Sequence, residues 1–235
     1  MNQLRDLRLY LFRTAVLGIG AANGFENGLP SDLSSTLYMC IPEPDLSAFI
    51  LAGGGSTRMG TDKAFVMLAG ETLLARALRL CRAVSNQVLI VGDRRKFGPF
   101  ASVVEDVFPG CGPLGGIHAA LRASQTDLNL VLAVDVPFVS PALLQLLVAR
   151  ARDSSAIVTV PRTLHGWQPL CAIYRRAFAD AAEEALGSAR YKIDALFDEA
   201  STMVIGEDEL QSAGFSPQAF RNLNTPEELA NARIA

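Results

Sequence analysis

Short apolar runs alternate with amphipathic segments along the chain from residue 46 onward. The apolar runs predict buried strands at 46–53, 87–93, 101–106, 128–138, 155–162, 169–176 and 202–207. Apolar residues at helical spacing predict helices at 71–84, 112–124 and 140–153. The last of these begins with Ser140 as N-cap and Pro141 at the first helical position. A capping box formed by Thr225, Pro226 and Glu228 predicts another helix near the C-terminus.

The alternation of strands and helices predicts an open, mostly parallel sheet with helices on both faces. The run at 128–138 is the most hydrophobic and is expected at the centre of that sheet. In such folds, ligands bind outside the carboxyl ends of the strands. Four loops follow apolar runs and carry glycine or charged residues, so we expect them to converge on one cleft: 51–63, 92–95, 105–106 and 135–137.

Composition and charge exclude several classes of protein. Of 235 residues, 50% are hydrophobic and 19% are charged, which favours a packed core over disorder. The net charge of -3 argues against a surface that coats nucleic acid, so a phosphate site must be built from a few local cations. No run of 18 or more apolar residues occurs, and we expect no transmembrane helix.

The four cysteines are predicted to be isolated thiols of a cytoplasmic protein. Cys40, Cys81, Cys111 and Cys171 are far apart in sequence and form no CxxC pair. With only two histidines in the chain, the sequence gives a zinc site no support.

Residues 1–44 precede the first strong strand pattern and are expected to be a poorly ordered or incidental extension. Met39 lies just ahead of that strand, which makes it a candidate for the translational start.

The stretch LAGGGSTRMGTDKA, residues 51–64, is the strongest candidate for chemistry. Its glycines fit a turn that brings backbone N–H groups close to an anion, yet neither common phosphate-binding template matches. The third glycine of a dinucleotide fingerprint would fall at Arg58, and the lysine of a P-loop would fall at Thr61. Arg58 offers a planar fork to phosphate oxygens and Lys63 a mobile point charge, so the loop is predicted to hold a triphosphate.

Asp135 follows the most hydrophobic of the predicted strands. An unpaired carboxylate is costly there, whereas a hard oxygen ligand beside a phosphate loop suits Mg²⁺. The alternative is a turn aspartate in the sequence Asp-Val-Pro, which alone would be the simpler interpretation. Its position beside the glycine-rich loop favours the metal ligand.

Other polar residues allow two interpretations. Asp106 could be a second polar contact or an acid that faces solvent. His118 is expected to be structural, because it lies within a predicted helix. Near His165, the side chains of Trp167 and Gln168 could stack on and hydrogen-bond a flat heterocycle, or could belong to core and loop.

Five segments occur in an order typical of one enzyme family. They are LAGGGSTRMGTDKA, EDVFPGCGPLGGIHAAL, VLAVDVPF, QPLCAIYRR and NLNTPEEL. Together they resemble the molybdenum cofactor guanylyltransferases, which belong to the nucleotidyltransferases along with sugar-phosphate and cytidylyltransferases. The resemblance implies a single nucleotidyltransferase domain at 45–235, with the three-layer, Rossmann-like, mixed and mostly parallel sheet of nucleotide-diphospho-sugar transferases.

The resemblance also implies a reaction and roles for individual residues. GMP would pass from GTP to molybdopterin that carries molybdenum, with Mg²⁺ as cofactor and pyrophosphate as leaving group. A molybdoenzyme or cofactor-insertion protein is the partner implied, with no nucleic acid and no membrane. By motif position, the resemblance implies nucleotide contacts at Leu51, Ala52, Gly53, Gly54, Lys63, Asp106 and Asp135. It implies catalytic roles for Arg58, Lys63 and Asp135, with Asp135 also binding the metal ion. On the acceptor side it implies Asn222 and Asn224.

One position departs from the family pattern, and alternatives stay open. Members often have a polar residue, frequently Asn, where this chain has Gly92; Asp93 could substitute for it. The guanine preference rests on Gly53 and Gly54, since the cytidylyltransferases tend to have Ala-Gly there, and one methyl group discriminates only modestly. A cytidylyltransferase for the same cofactor, a sugar-phosphate nucleotidyltransferase and a non-catalytic adaptor are the alternatives. The presence of both Lys63 and Asp135 argues against the adaptor.

Overall fold

A computed structural model describes residues 43–53 and 62–223, and the structural statements below concern those two ranges. The predictions for residues 1–42, including Met39, lie outside them. So do three residues of the predicted site, Gly54, Arg58 and Asn224, and the predicted capping box that begins at Thr225.

Within the described ranges the chain forms ten strands and six α-helices. The strands are β1 Glu43–Leu51, β2 Met67–Leu68, β3 Glu71–Thr72, β4 Ser85–Val91, β5 Ser102–Val104, β6 Leu128–Ala133, β7 Val158–Thr163, β8 Gly166–Trp167, β9 Cys171–Arg175 and β10 Thr202–Gly206. The helices are α1 Leu73–Arg82, α2 Arg94–Phe97, α3 Pro113–Ala123, α4 Pro141–Arg152, α5 Phe178–Gly187 and α6 Glu207–Ser212. Three short 3₁₀ turns lie at Lys63–Phe65, Ile193–Leu196 and Pro217–Phe220. The seven predicted strands and the helices predicted at 71–84, 112–124 and 140–153 are all present. The three helices are shorter than predicted, whereas β1 and β4 begin before their predicted starts and β7 ends one residue past its predicted end.

The main sheet is mixed and mostly parallel, as predicted. Its strand order is β10–β7–β9–β6–β1–β4–β5, with β8 paired to β7, while β2 and β3 form a separate two-stranded sheet. Strands β1, β4, β5 and β6 are parallel, and so are β7 and β10. Strand β9 runs antiparallel to both β6 and β7, so β7 again points the same way as β6.

The predicted central strand is confirmed, but its predicted end is wrong. Strand β6 is the fourth of the seven strands in the ordered path, and all six of its residues are buried. It ends at Ala133 rather than at residue 138, because Val136 N–H donates to Ala133 O at 3.4 Å and closes a turn. Asp135 therefore lies in a turn just beyond the strand.

Helices cover both faces of the sheet and give three layers. Alternate residues of β1 point to opposite faces, as a strand requires. Leu46, Ala48 and Ile50 belong to a core that includes α1 and α4, whereas Phe49 and Leu51 belong to a core that includes α3 and α5. Because both faces of the strand are buried, β1 has the continuous apolar sequence of a parallel strand.

Helix starts follow local capping chemistry. Ser140 Oγ accepts a hydrogen bond from Leu143 N–H at 3.2 Å, which confirms the predicted N-cap of α4. Helix α1 was predicted from residue 71 but begins at Leu73, because Thr72 Oγ1 accepts from Ala75 N–H at 3.1 Å. These caps fix where each helix leaves the sheet edge.

Candidate active site

The carboxyl ends of four neighbouring strands, β6, β1, β4 and β5, meet at one edge of the sheet. Backbone hydrogen bonds join them just beyond the strands: Ala52 N–H and Gly53 N–H to Val91 O (3.0 and 3.1 Å), Gly92 N–H to Val104 O (3.0 Å) and Val134 N–H to Leu51 O (3.1 Å). The described parts of the loops that follow these strands therefore converge, as the sequence predicts.

Lys63 and Asp135 form an ion pair across this edge. Lys63 Nζ lies 2.9 Å from Asp135 Oδ2, and the two side chains are 22% and 18% exposed. Lys63 opens a 3₁₀ turn whose N-cap, Asp62, accepts a hydrogen bond from Ala64 N–H at 2.9 Å. The structure thus brings together the lysine of the glycine-rich loop and the aspartate of the turn after the central strand, 72 positions apart in sequence.

Asp135 has the chemistry of a ligand for a divalent cation. Its carboxylate stands just past a fully buried strand, and Lys63 offsets its charge. In the described ranges, no group of three or more His, Cys, Asp or Glu side chains is placed to hold a metal ion by itself. Mg²⁺ is commonly held by one or two carboxylates together with substrate phosphates, and Asp135 fits that kind of site.

Asp106 lies against the first turn of α3. Its Oδ1 accepts a hydrogen bond from Phe108 N–H at 2.8 Å, and a Cβ added at Gly115 would lie only 2.7 Å from its Oδ2. The glycine therefore lets the carboxylate approach the start of the helix, where the free N–H groups favour an anion. Asp106 has a local structural role, and a nucleotide contact would be additional to it.

The first residues of the glycine-rich loop are anchored to the sheet. Leu51 and Ala52 are buried, and the Leu51 side chain packs beside Gly116 of α3. The sequence predicts that the glycines bring their N–H groups close to an anion, and for the N–H of Gly53 this is wrong. Its N–H donates to Val91 O, and its φ is not positive.

Phe97 explains why residue 92 is glycine. A Cβ at Gly92 would lie 2.8 Å from Phe97 Cε2 and 2.9 Å from Cδ2, and Phe97 is 1% exposed, so its ring has little room to move. Asp93, the suggested substitute for a polar residue at 92, instead caps α2. Its Oδ1 accepts from Arg95 N–H at 2.7 Å and from Lys96 N–H at 3.3 Å.

Gly92→Ala is expected to destabilise the fold by about 1–3 kcal/mol, because the new methyl group overpacks the Phe97 ring. Urea unfolding of both proteins measures this difference. Gly53→Ala is the matched control: its Cβ would meet Gly92 Cα and Val91 O at 3.7 Å, an ordinary contact. Equal unfolding midpoints for Gly92→Ala and Gly53→Ala would contradict the packing argument.

His118 has the surroundings of a structural residue. It is 4% exposed, its Nε2 lies 3.4 Å from Glu183 Oε2, and its ring meets the edge of Phe108 at 5.2 Å between centroids. These contacts join α3 to α5 and to the loop after Asp106. They agree with the structural role expected from the sequence.

Trp167 packs within the protein. Its ring meets Phe197 in a T-shaped arrangement with centroids 5.3 Å apart, and the Arg162 guanidinium lies 4.8 Å from its centroid. Of the two interpretations that the sequence left open, these contacts favour core and loop for Trp167.

A cleft lies between residues 163–168, at and after the end of β7, and the segment 217–221. Its volume is about 220 Å³, and its lining residues are Thr163, His165, Gln168, Pro217, Gln218, Phe220 and Arg221. Leu223 N–H donates to Asp135 O at 3.0 Å, which holds the segment after the cleft against the turn. Asn222 lies exposed in that segment. In the strand order, β7, which contributes Thr163 to the cleft, and β1, which ends at Leu51, lie on opposite sides of β6, the strand that precedes Asp135.

Three of the four cysteines are described, and each has a free thiol. Burial raises the pKa of the Cys171 thiol to about 12 and raises that of the buried Cys81 thiol as well. Neither can be a thiolate near neutral pH, as expected for isolated structural thiols. Cys40 lies outside the described residues. None of the described helices combines the length and apolar character that crossing a membrane would require.

A family model matches most of the sheet and its loops. The model of the MobA-like NTP transferase domain matches residues 48–202, from within β1 to the start of β10. That range contains Lys63, Asp106 and Asp135.

Individual relatives and a solved structure are similar over almost their whole length. "Probable molybdenum cofactor guanylyltransferase" of Pelotomaculum thermopropionicum is 34% identical over 187 residues, covering 79% of this chain and 90% of the relative. "Molybdenum cofactor guanylyltransferase" of Desulfosudis oleivorans is 33% identical over 193 residues, covering 81% and 95%. The crystal structure of molybdopterin-guanine dinucleotide biosynthesis protein A from Archaeoglobus fulgidus is 28% identical, with a TM-score of 0.70 and coverage of 80% and 97%.

Proposed function

The chain belongs to the MobA-like NTP transferase family and is a nucleotidyltransferase, and we propose that it transfers GMP from GTP to molybdopterin that carries molybdenum. The observation that carries the proposal is the Lys63–Asp135 pair at the strand-end edge, in a chain whose relatives bear the name molybdenum cofactor guanylyltransferase. The products would be pyrophosphate and the guanine dinucleotide form of the cofactor.

The reaction exchanges one phosphoanhydride bond for another. A terminal phosphate oxygen of the acceptor forms a bond to the α-phosphorus of GTP. The bond from that phosphorus to the oxygen bridging to the β-phosphate breaks, and its electron pair leaves with pyrophosphate. Because the acceptor phosphate is already an anion at neutral pH, the protein needs no strong general base. This agrees with the lack of an evident His or Ser nucleophile in the sequence.

The work left to the protein is electrostatic. Two polyanions must be brought together, and charge must be stabilised at the α-phosphate. Lys63 supplies a positive charge at the sheet edge, and Arg58 of the same loop is assigned a second one from the sequence.

A divalent metal ion is general among nucleotidyltransferases of this type. We assign Mg²⁺, with Asp135 as its protein ligand, because a hard carboxylate oxygen at this position suits that ion. When bound, the ion would neutralise phosphate charge and polarise the reacting phosphate. Lys63 would hold the Asp135 carboxylate in place and offset its charge.

The strand order supports separate places for the two substrates. We assign the nucleotide to the side of β1, β4 and β5, where Leu51, Ala52, Gly53 and Asp106 lie, with Gly54 added from the sequence. We assign the acceptor to the opposite side of β6, where the cleft lies and Asn222 is exposed, with Asn224 added from the sequence. The acceptor phosphate would then approach Asp135 and Lys63 from the side away from the nucleoside.

The proposed cellular setting follows from the reaction. The product serves molybdoenzymes, so a recipient molybdoenzyme or a cofactor-insertion protein is the proposed partner, in the cytoplasm. The net charge of -3 speaks against nucleic acid as a partner.

GTP is expected to be the preferred nucleotide. The test measures pyrophosphate release with GTP, CTP, ATP and UTP, each with molybdenum-loaded molybdopterin and Mg²⁺, and we expect GTP to exceed CTP about tenfold or more in kcat/KM. Faster turnover with CTP would overturn guanylyl transfer in favour of cytidylyl transfer. Release with a sugar phosphate but not with the pterin would indicate a different acceptor.

Gly53→Ala sharpens the same test. The substitution fits the described structure, so a change in nucleotide preference can be separated from a change in folding. We expect the GTP-to-CTP ratio of kcat/KM to fall about tenfold, the usual size of a one-methyl effect. An unchanged ratio would remove Gly53 from base selection.

A further inference from the structure

We propose that Asp62 and Lys96 form a latch that positions Lys63 for the transfer reaction. Asp62 precedes the 3₁₀ turn at Lys63–Phe65 and Lys96 lies in α2, the short helix after β4, and their side chains form an ion pair. Asp62 lies in the glycine-rich segment 51–64, whereas the sequence alone gives no reason to single out Lys96. The proposal rests on the proposed function only for its kinetic readout.

Asp62 acts on the backbone that carries Lys63. One carboxylate oxygen, Oδ1, accepts a hydrogen bond from Ala64 N–H at 2.9 Å, and the other, Oδ2, pairs with Lys96. Phe65 N–H donates to Asp62 O at 3.0 Å, which completes the turn around Lys63. The direction of the Asp62 side chain is therefore coupled to the conformation of the turn.

Lys96 is held in place by contacts with two aromatic rings as well as by its pairing with Asp62. It lies in α2, whose start is capped by Asp93, and its Nζ lies 4.9 Å from the centroid of Phe97 and 5.7 Å from that of Phe65. The rings of Phe65 and Phe97 stack with centroids 6.1 Å apart. Cation–π contacts and the ion pair thus fix Lys96 between the loop after β4 and the turn of Lys63.

The latch reaches Lys63 through one peptide unit. Lys63 follows Asp62 directly, and its Nζ extends to Asp135 at 2.9 Å. A half-exposed ion pair contributes little to the free energy of unfolding. We therefore expect the Asp62–Lys96 pair to affect the position of Lys63 rather than the stability of the fold. A shift of the order of 1 Å in a reacting group costs up to about a hundredfold in rate.

A direct phosphate contact by Lys96 is the competing explanation. The two explanations differ in whether the effect of removing Lys96 depends on Asp62. A positioning residue acts through the carboxylate, so removing Lys96 should have no further effect once Asp62 is neutralised. A phosphate ligand would act regardless of Asp62.

The experiment is a double-mutant cycle in the full chain with Lys96→Met and Asp62→Asn. Pyrophosphate release with GTP, molybdenum-loaded molybdopterin and Mg²⁺ gives kcat and KM. We expect each single variant to lose about tenfold, mainly in kcat, and the double variant to lose no more than either. Lys96→Arg should restore most of the loss. Arg82→Met, which removes an exposed cation from the end of α1, should behave as wild type.

A second measurement does not need turnover. Hydrogen exchange of the ligand-free protein reports on the amides of residues 64–66, which are bonded within the turn. Exchange there should rise about tenfold in Lys96→Met and stay unchanged in Arg82→Met. Additive kinetic losses or unchanged exchange would overturn the latch. An inactive wild type with the expected exchange pattern would instead overturn the proposed function alone.

Discussion

Asp135→Asn is expected to lower kcat/KM for GTP about a thousandfold with little loss of stability. The substitution keeps the shape of the side chain but removes the negative charge that faces Lys63 at 2.9 Å. The backbone around it keeps its bonds, since Val134 N–H donates to Leu51 O and Leu223 N–H to Asp135 O. What is lost is the anionic oxygen that would hold Mg²⁺ and align the lysine.

Two measurements distinguish this chemical role from a structural one. Pyrophosphate release gives the turnover, and thermal unfolding gives the stability of the same preparation. Asp153→Asn, at the exposed C-cap of α4, removes a carboxylate far from the edge and should match wild type in both. Near-wild-type turnover of Asp135→Asn would remove Asp135 from the reaction.

Sequence periodicity was sufficient to predict the layers of this fold. Each apolar run became a strand, and β6 lies at the centre with apolar residues on both faces, Asn129 being its one polar residue. The periodicity does not give strand direction. Strand β9 has the same continuous run of buried residues as its neighbours β6 and β7, which are parallel to each other. It is nevertheless antiparallel to both. Direction depends on the connections, and these are not encoded in the hydrophobic pattern.

Strand ends and glycine roles were predicted less well. The apolar run containing Asp135 suggested a strand to residue 138, but a turn that starts at Ala133 ends the pairing. The sequence marks Gly92 only as a departure from the family pattern, because it does not show that the ring of Phe97 in the following helix α2 excludes a side chain there. Both constraints depend on local backbone and ring geometry, which the pattern of apolar and polar residues does not show.

The sequence predicted those site residues that belong to a recognisable motif. Lys63 and Asp135 were each selected by residue type after an apolar run, and the fold joins them. Lys96 was not selected, because a lysine in a charged turn resembles any solvent-exposed lysine. Its pairing with Asp62 depends on the adjacency of β1 and β4 in the sheet.

Lys63→Met is expected to reduce kcat/KM for GTP by about a hundredfold to a thousandfold. Methionine keeps the apolar stem of the side chain, so the 3₁₀ turn at Lys63–Phe65 should persist, while the cation opposite Asp135 is lost. Lys63→Arg retains the charge but replaces a compact ammonium with a wider planar group, so we expect only partial recovery. Steady-state pyrophosphate release with GTP and the loaded pterin measures both variants.

Combining Lys63→Met with Asp135→Asn tests whether the pair acts as one unit. If the lysine and the carboxylate serve the same step, the double variant should be little slower than the slower single variant, because residues that act together are not additive in rate. Removing both partners also avoids leaving one charge unpaired at this edge, so the double variant should unfold no earlier than Lys63→Met. Fully multiplicative losses would show that the two residues contribute independently, and the Lys63–Asp135 contact would then be incidental to the transfer of GMP.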